Sequence, residues 1–365
     1  MSKINVTQST MPTYDNYIEK IKDLWTSRHL TNSGKYHNEL QERLSMYLKV
    51  GNTLLYSNGH IALEYAFELL SRKGDIITTP FTFASTTQAI LRTGHTPVFC
   101  DIKSDFTIDE NRIEELITQK TVAIVPVHVY GNVCNVEKIE EIALKHNLMV
   151  IYDAAHVFGV EYMNKGIGSF GDISMFSFHA TKVFHTVEGG ALTFNDDFYK
   201  KTLIPLRNFG LVSQENVSFI GGNGKMDEFR AAMGLCILDI VEDEILKRKY
   251  VYERYISNLK GIAGIQLNEI QVNVKSNYAY FPVIFDGFHY DRNQIFDLLK
   301  KFDIISRKYF YPLTSEFEVY KDLFPIQRTP VAKHIAENIL CLPLYPDLAL
   351  EDVDFICRII KEGRL

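Results

Sequence analysis

Val150-Ile151-Tyr152-Asp153-Ala154-Ala155-His156 is an apolar run that ends in a carboxylate, two small residues and an imidazole. It is one of several short β-rich runs between about residues 50 and 195 that alternate with amphipathic helical segments. That alternation is the signature of a mostly parallel sheet covered by helices. Further strands are expected at 54–57, 75–80, 96–100, 122–127, 149–153, 173–178 and 191–194. One helix can be argued residue by residue: Asn135 is its N-cap, Val136, Ile139, Ile142 and Ala143 fall on one face, and His146-Asn147 ends it.

Beyond residue 230 the pattern changes to a helix-rich stretch at 231–255, strands near 265–270 and 278–285, and helices at 292–301 and 351–361. The expected organisation is a large α/β domain over 1–240, including the N-terminal segment, and a small α+β domain over 241–365. The 365 residues are 46% hydrophobic and 23% charged, which suits a globular chain with a large core. A net charge of −6 gives no global reason to bind nucleic acid or an anionic membrane, so a phosphorylated ligand needs a local site. The five cysteines are scattered and never form a CxxC pair, and no His/Cys/Asp cluster has metal-ligand spacing, so reduced cysteines and no catalytic metal are expected. No apolar stretch approaches the roughly 20 residues that span a bilayer, and residues 1–6 lack a secretory core; a cytoplasmic protein is expected.

In an open α/β sheet ligands meet the carboxyl ends of strands, which is where Asp153 falls. A carboxylate there can keep a pyridinium nitrogen protonated, making the ring an electron sink, although Asp153 alone would serve equally as a helix cap. Downstream, Ser174-Met175-Phe176-Ser177-Phe178-His179-Ala180-Thr181-Lys182 places a lysine after a buried strand and ahead of Glu188-Gly189-Gly190. Lysine forms Schiff bases with carbonyl cofactors, and burial lowers its pKa toward a nucleophilic amine. Taken singly, such a lysine is far more often a surface residue.

Together, Asp153-Ala154-Ala155-His156, the run from Ser177 to Lys182 and Glu188-Gly189-Gly190 closely resemble the DegT/DnrJ/EryC1/StrS sugar aminotransferases, which are fold-type I pyridoxal-phosphate enzymes. The resemblance extends through Leu30-Thr31-Asn32-Ser33-Gly34, Ser57-Asn58-Gly59, Pro80-Phe81-Thr82-Phe83-Ala84-Ser85, His128-Val129-Tyr130-Gly131, Gly222-Asn223 and Leu342-Pro343-Leu344. It implies that Lys182 forms the Schiff base to pyridoxal 5'-phosphate and carries a proton when pyridoxamine 5'-phosphate is the intermediate. By the same resemblance Asp153 faces the ring nitrogen, His156 lies beside the phenolic oxygen and Phe83 stacks on the ring. Ser177 and the backbone of Gly59 and His60 hold the phosphate, the latter two at a helix N-terminus. The family often has Thr or Ser where His60 stands, so a side-chain contact is not expected there. Asn223 matches an asparagine that reaches the phosphate from a partner subunit, which implies a homodimer with a shared site.

The implied reaction moves an amino group from L-glutamate to a nucleotide-linked keto-sugar. A relative with histidine in place of the lysine dehydrates the sugar instead, so Lys182 favours transamination. The Phe178-His179-Ala180-Thr181-Lys182 form resembles the 4-aminotransferase branch, in particular enzymes that make dTDP-4-amino-4,6-dideoxyglucose from dTDP-4-keto-6-deoxyglucose for surface glycans such as O-antigen. The alternatives are a 3-aminotransferase acting on a dTDP-3-keto-6-deoxyhexose and a non-catalytic regulatory protein of the same fold. A dinucleotide-dependent oxidoreductase is disfavoured because Gly221-Gly222-Asn223-Gly224 does not follow a strand as a GxGxxG motif must. Sugar and nucleotide contacts are expected from loops that include Thr31-Asn32 and Arg307-Lys308-Tyr309.

Overall fold

The computed structural model describes residues 3–363. Its large sheet has seven strands: β1 (Asn52–Tyr56), β2 (Asp75–Thr78), β3 (Thr96–Phe99), β4 (Thr121–Ile124), β5 (Met149–Asp153), β6 (Ile173–Ser177) and β7 (Gly190–Phe194). Their spatial order is β1-β7-β6-β5-β4-β2-β3. The pairs from β6 across to β3 are parallel, as expected from the alternating pattern, whereas β7 runs antiparallel to both β6 and β1. The reversal has a local cause. A parallel return needs a crossover, usually helical, but residues 178–189 come back as a loop held by Phe178 N–H to Gly189 C=O at 2.8 Å. That loop carries Lys182.

The strands send alternate residues to opposite faces, as their two-residue period requires. Leu55, Ile77, Ile124, Tyr152 and Phe176 join one apolar cluster, while Leu54, Ile76, Ala123, Ile151, Ile173 and Met175 join another. Both faces are therefore covered, which is why the strands read as continuous apolar runs rather than alternating ones. The helix Val136–His146 forms as the sequence indicates. The Asn135 side chain accepts from Lys138 N–H, Val136, Ile139, Ile142 and Ala143 are buried, and Asn147 closes it in the left-handed conformation with φ 52°.

A second, antiparallel sheet contains β8 (Ile265–Leu267), β9 (Phe281–Phe285) and β10 (Ile339–Leu342), in that order. The helices Val241–Leu259, Arg292–Lys301 and Leu350–Glu362 accompany it. Val241 and Ile245, at the start of the long helix, belong to the core of the large sheet; Val251, Tyr252, Tyr255 and Leu259, further along, belong to that of the small one. Ile4 also packs in the small-sheet core and bridges Ile304. The strand expected at 278–285 starts later because Tyr278 takes a φ of 50°, outside the extended region.

Candidate active site

The chain order reverses between β2 and β4: after β2 the chain moves outward to β3, then returns to the other side of β2. Such a switch point opens a crevice at the carboxyl ends of the strands. Here it holds a cavity of about 500 Å3 whose walls include Gly59, Phe83, Asp153, Ser177, Lys182 and Tyr280.

Asp153 ends β5 at the cavity floor and is 5% exposed. Its two oxygens accept from Thr86 Oγ1 at 2.7 Å and from Ala155 N–H at 3.1 Å. Thr86 is steadied in turn by Thr82 Oγ1 at 2.9 Å. Burial raises the Asp153 pKa above the usual carboxylate value, against the opposing pull of those two hydrogen bonds and of the Lys182 charge. His156 Nδ1 accepts from the Tyr130 N–H at 3.2 Å, so the neutral ring carries its proton on Nε2. Burial, with a smaller push from Lys182, holds His156 well below its ordinary pKa and keeps it neutral. Lys182 is pushed down to about 8, chiefly by burial and further by Arg307, while Asp153 pulls it up. The free amine is therefore far more abundant near neutral pH than for an ordinary lysine, as a nucleophile or proton acceptor requires.

The opposite end of the cavity is built to receive an anion. Asn58 caps the helix Gly59–Phe67 by accepting from Ile61 N–H at 2.9 Å, leaving the first amides, those of Gly59 and His60, at the cavity wall. This turn is pressed onto β7: a Cβ on Gly190 would lie 2.5 Å from Gly59 N and 2.6 Å from Asn58 C, both backbone atoms. Gly190→Ala is accordingly expected to destabilise the protein by about 1–3 kcal/mol, the usual cost of overpacking, and to weaken anion binding at the displaced amides. Denaturant titration and phosphate-ester binding measure the two effects, and an alanine variant with parental values for both would refute the close-packing argument.

A family model described as the DegT/DnrJ/EryC1/StrS aminotransferase family matches residues 13–361. The chain belongs to the DegT/DnrJ/EryC1/StrS aminotransferase family. It is 42% identical over 364 residues to a dTDP-4-amino-4,6-dideoxy-D-glucose transaminase of Escherichia coli, covering 98% of each chain. Among solved structures it is similar to DesI determined in the presence of its TDP-sugar product, with a TM-score of 0.94 and 28% identity over 100% of this chain and 94% of that one. It is also similar to the PLP form of the putative sugar aminotransferase Spr1654 from Streptococcus pneumoniae, with a TM-score of 0.91 and 27% identity over 98% of both chains.

As a DegT/DnrJ/EryC1/StrS aminotransferase the protein uses pyridoxal 5'-phosphate, and the cavity fits that group. A buried carboxylate, a lysine with a depressed pKa and an amide cradle that admits no Cβ on Gly190 lie around one space. Of the residues singled out in the sequence, Lys182, Asp153, His156, Ser177, Gly59, His60 and Phe83 all line it. Phe83, 54% exposed, presents its ring from the residue that precedes the helix Ala84–Arg92. The His60 ring is occupied locally, with Nδ1 at 2.9 Å from Ser85 Oγ and Nε2 at 3.2 Å from Glu64. Asn223 is exposed and absent from this wall; it bridges Asn208 on a separate turn. Sequence reading did not find Thr86 or Tyr280. Thr86 belongs to a helix 67 residues from the carboxylate it orients, and Tyr280 is 98 residues from Lys182. Only the fold brings either pair together. Among the described residues no group of three or more His, Cys, Asp or Glu could hold a metal ion, and no helix is long and apolar enough to cross a membrane.

Proposed function

We propose that this enzyme transfers the amino group of L-glutamate to C4 of dTDP-4-keto-6-deoxyglucose, giving dTDP-4-amino-4,6-dideoxyglucose for a bacterial surface glycan such as O-antigen. The observation that carries the reading is the 42% identity, over 98% of both chains, to a transaminase named for that amino sugar. The Lys182–Asp153–His156 arrangement around one cavity supports catalysis over a purely regulatory role.

Bound in the cavity, pyridoxal 5'-phosphate supplies the carbonyl that accepts the amino group and the ring that serves as electron sink. Lys182, which lines the cavity with a lowered pKa, would hold the cofactor covalently, and its Nζ would carry a proton to and from the substrate carbon. Asp153, oriented by Thr86 and Ala155, would face the ring nitrogen and favour its protonated form. Neutral His156 would offer an Nε2–H donor to the phenolic oxygen, and Phe83 would cover one face of the ring. The amides of Gly59 and His60 and the Ser177 hydroxyl would take the phosphate. Asn223 lies outside its own chain's cavity, which suits an asparagine that serves a partner's site; the working unit is then a homodimer, placed in the cytoplasm.

The test has two arms. Borohydride reduction of the cofactor-loaded protein is expected to fix the cofactor on Lys182, read by mass spectrometry of its peptide. Incubation with glutamate and a panel of nucleotide keto-sugars is expected to give a 4-amino product from dTDP-4-keto-6-deoxyglucose by NMR. An adduct on another lysine removes the proposed role of Lys182, and a 3-amino product overturns the regiochemistry.

A further inference from the structure

Lys182 has two tasks in the proposed reaction: it holds the cofactor, then must wait, released, within reach of the substrate carbon. A four-carbon side chain freed from a covalent bond has many rotamers, and restricting them has an entropic cost. The cavity wall provides a resting place. Lys182 Nζ donates to the Tyr280 hydroxyl at 3.3 Å, and its charge lies 5.9 Å from the centre of the same ring. Tyr280 is buried just ahead of β9, so it reaches the lysine loop from the smaller sheet. The ring is packed in place against His156 at 4.4 Å, Tyr130 at 5.7 Å and Tyr309 at 5.8 Å between centroids.

We propose that Tyr280 is a positioning residue for the aminotransferase reaction: its hydroxyl holds the released Lys182 amine at the proton-transfer position. The inference rests on the role assigned to Lys182 above and adds a second residue to it. A phenol suits the task because it can serve both charge states of the lysine. It accepts from the ammonium in a charge-assisted bond, which is stronger than the bond it donates to the neutral amine, so on balance it favours the charged form. Burial raises the Tyr280 pKa, outweighing the opposing effects of Arg248 and Arg307, so the hydroxyl keeps its proton throughout the working pH range. The other charged or titratable groups acting on the Lys182 amine are Asp153, which favours its charged form, and Arg307, which opposes it; neutral His156 lies alongside.

Tyr280→Phe isolates the hydroxyl, because the ring and its packing are retained. Three quantities are compared with the parent: the cofactor dissociation constant, the pH midpoint for reconstitution of the cofactor-free protein, and the single-turnover rate with L-glutamate. A hydroxyl that accepts from the ammonium stabilises the charged form. Its loss should move the reconstitution midpoint below the parental value, itself expected near the Lys182 pKa of about 8. The half-reaction should slow by roughly 10–100-fold, no more than the lower bound for a proton-transfer group, because Tyr280 positions the carrier and does not itself transfer the proton. The dissociation constant should remain within about threefold, since the ring that packs the site remains. A lower midpoint and a slower half-reaction with cofactor affinity preserved support the proposal. An unchanged midpoint, an unchanged half-reaction, or a loss of rate matched by lost cofactor affinity each overturns it. If the parent binds the cofactor without using Lys182, the role of the lysine fails first and that of Tyr280 with it. If the parent behaves as expected and only the comparison fails, Tyr280 alone is excluded.

Discussion

Lys182→Ala is expected to lower amination of the keto-sugar by about 10⁴-fold or more, because in the proposed reaction it deletes the cofactor's covalent attachment and the proton carrier together. Among the described residues Lys182 is the one lysine lining the cavity, so exogenous methylamine should recover a small part of the proton-transfer rate. The fold should tolerate the change. Lys182 lies on the loop between β6 and β7, and its amine is a desolvated group whose charge is disfavoured in the folded state. Thermal unfolding of the cofactor-free variant should therefore match the parent or exceed it, while the visible absorption of the loaded protein changes. The measurements are product formation by NMR, unfolding temperature and absorption spectrum. Activity within a factor of about ten of the parent, in a protein that still loads cofactor, would transfer the role of Lys182 to another group.

The positions that were legible in the sequence share one property: their partners are near in the chain or their pattern is periodic. Asp153 ends one buried strand with His156 three residues on, and Ser177 ends another with Lys182 five residues on, so a short window contains both the strand and its chemistry. The helix Val136–His146 displays its cap, its apolar face and its left-handed terminus within 13 residues, from Asn135 to Asn147. Strand direction was not legible at β7, since a run such as Gly190–Phe194 is apolar whether it pairs parallel or antiparallel. β10 was also hidden. Ile339 begins it directly after the helix Pro330–Asn338, with no intervening turn residue, and the sequence pattern registered only the Leu342-Pro343-Leu344 motif. Thr86 and Tyr280 carry no local signal at all, because a threonine in a helix and a tyrosine before a strand are ordinary until the sheet and the cavity exist.

Asp153→Asn separates what the carboxylate does for catalysis from what it does to the fold. The amide is nearly isosteric, and the Thr86 hydroxyl can rotate to meet either an oxygen or an NH2, so the cavity keeps its shape. What is lost is the negative charge proposed to face the ring nitrogen. Preorganised electrostatic groups of this kind are worth about 10²–10³-fold in rate, and a loss of that size in kcat is expected. Stability of the cofactor-free protein should respond in the other direction. Folding raises the Asp153 pKa, so the folded chain retains this proton to higher pH than the unfolded chain. Its stabilising contribution is present below the unfolded carboxylate pKa and is lost as pH rises through the folded one, leaving a buried carboxylate in the folded state above that window. Asparagine does not titrate and escapes the loss, so the variant should gain stability relative to the parent as pH rises from acid to neutral. Denaturant titrations of both cofactor-free proteins across that range measure the difference. A variant that retains parental kcat excludes the ring-nitrogen role, whereas one that loses activity without the relative gain in stability at neutral pH shows that the hydrogen bonds from Thr86 and Ala155 compensate the buried charge.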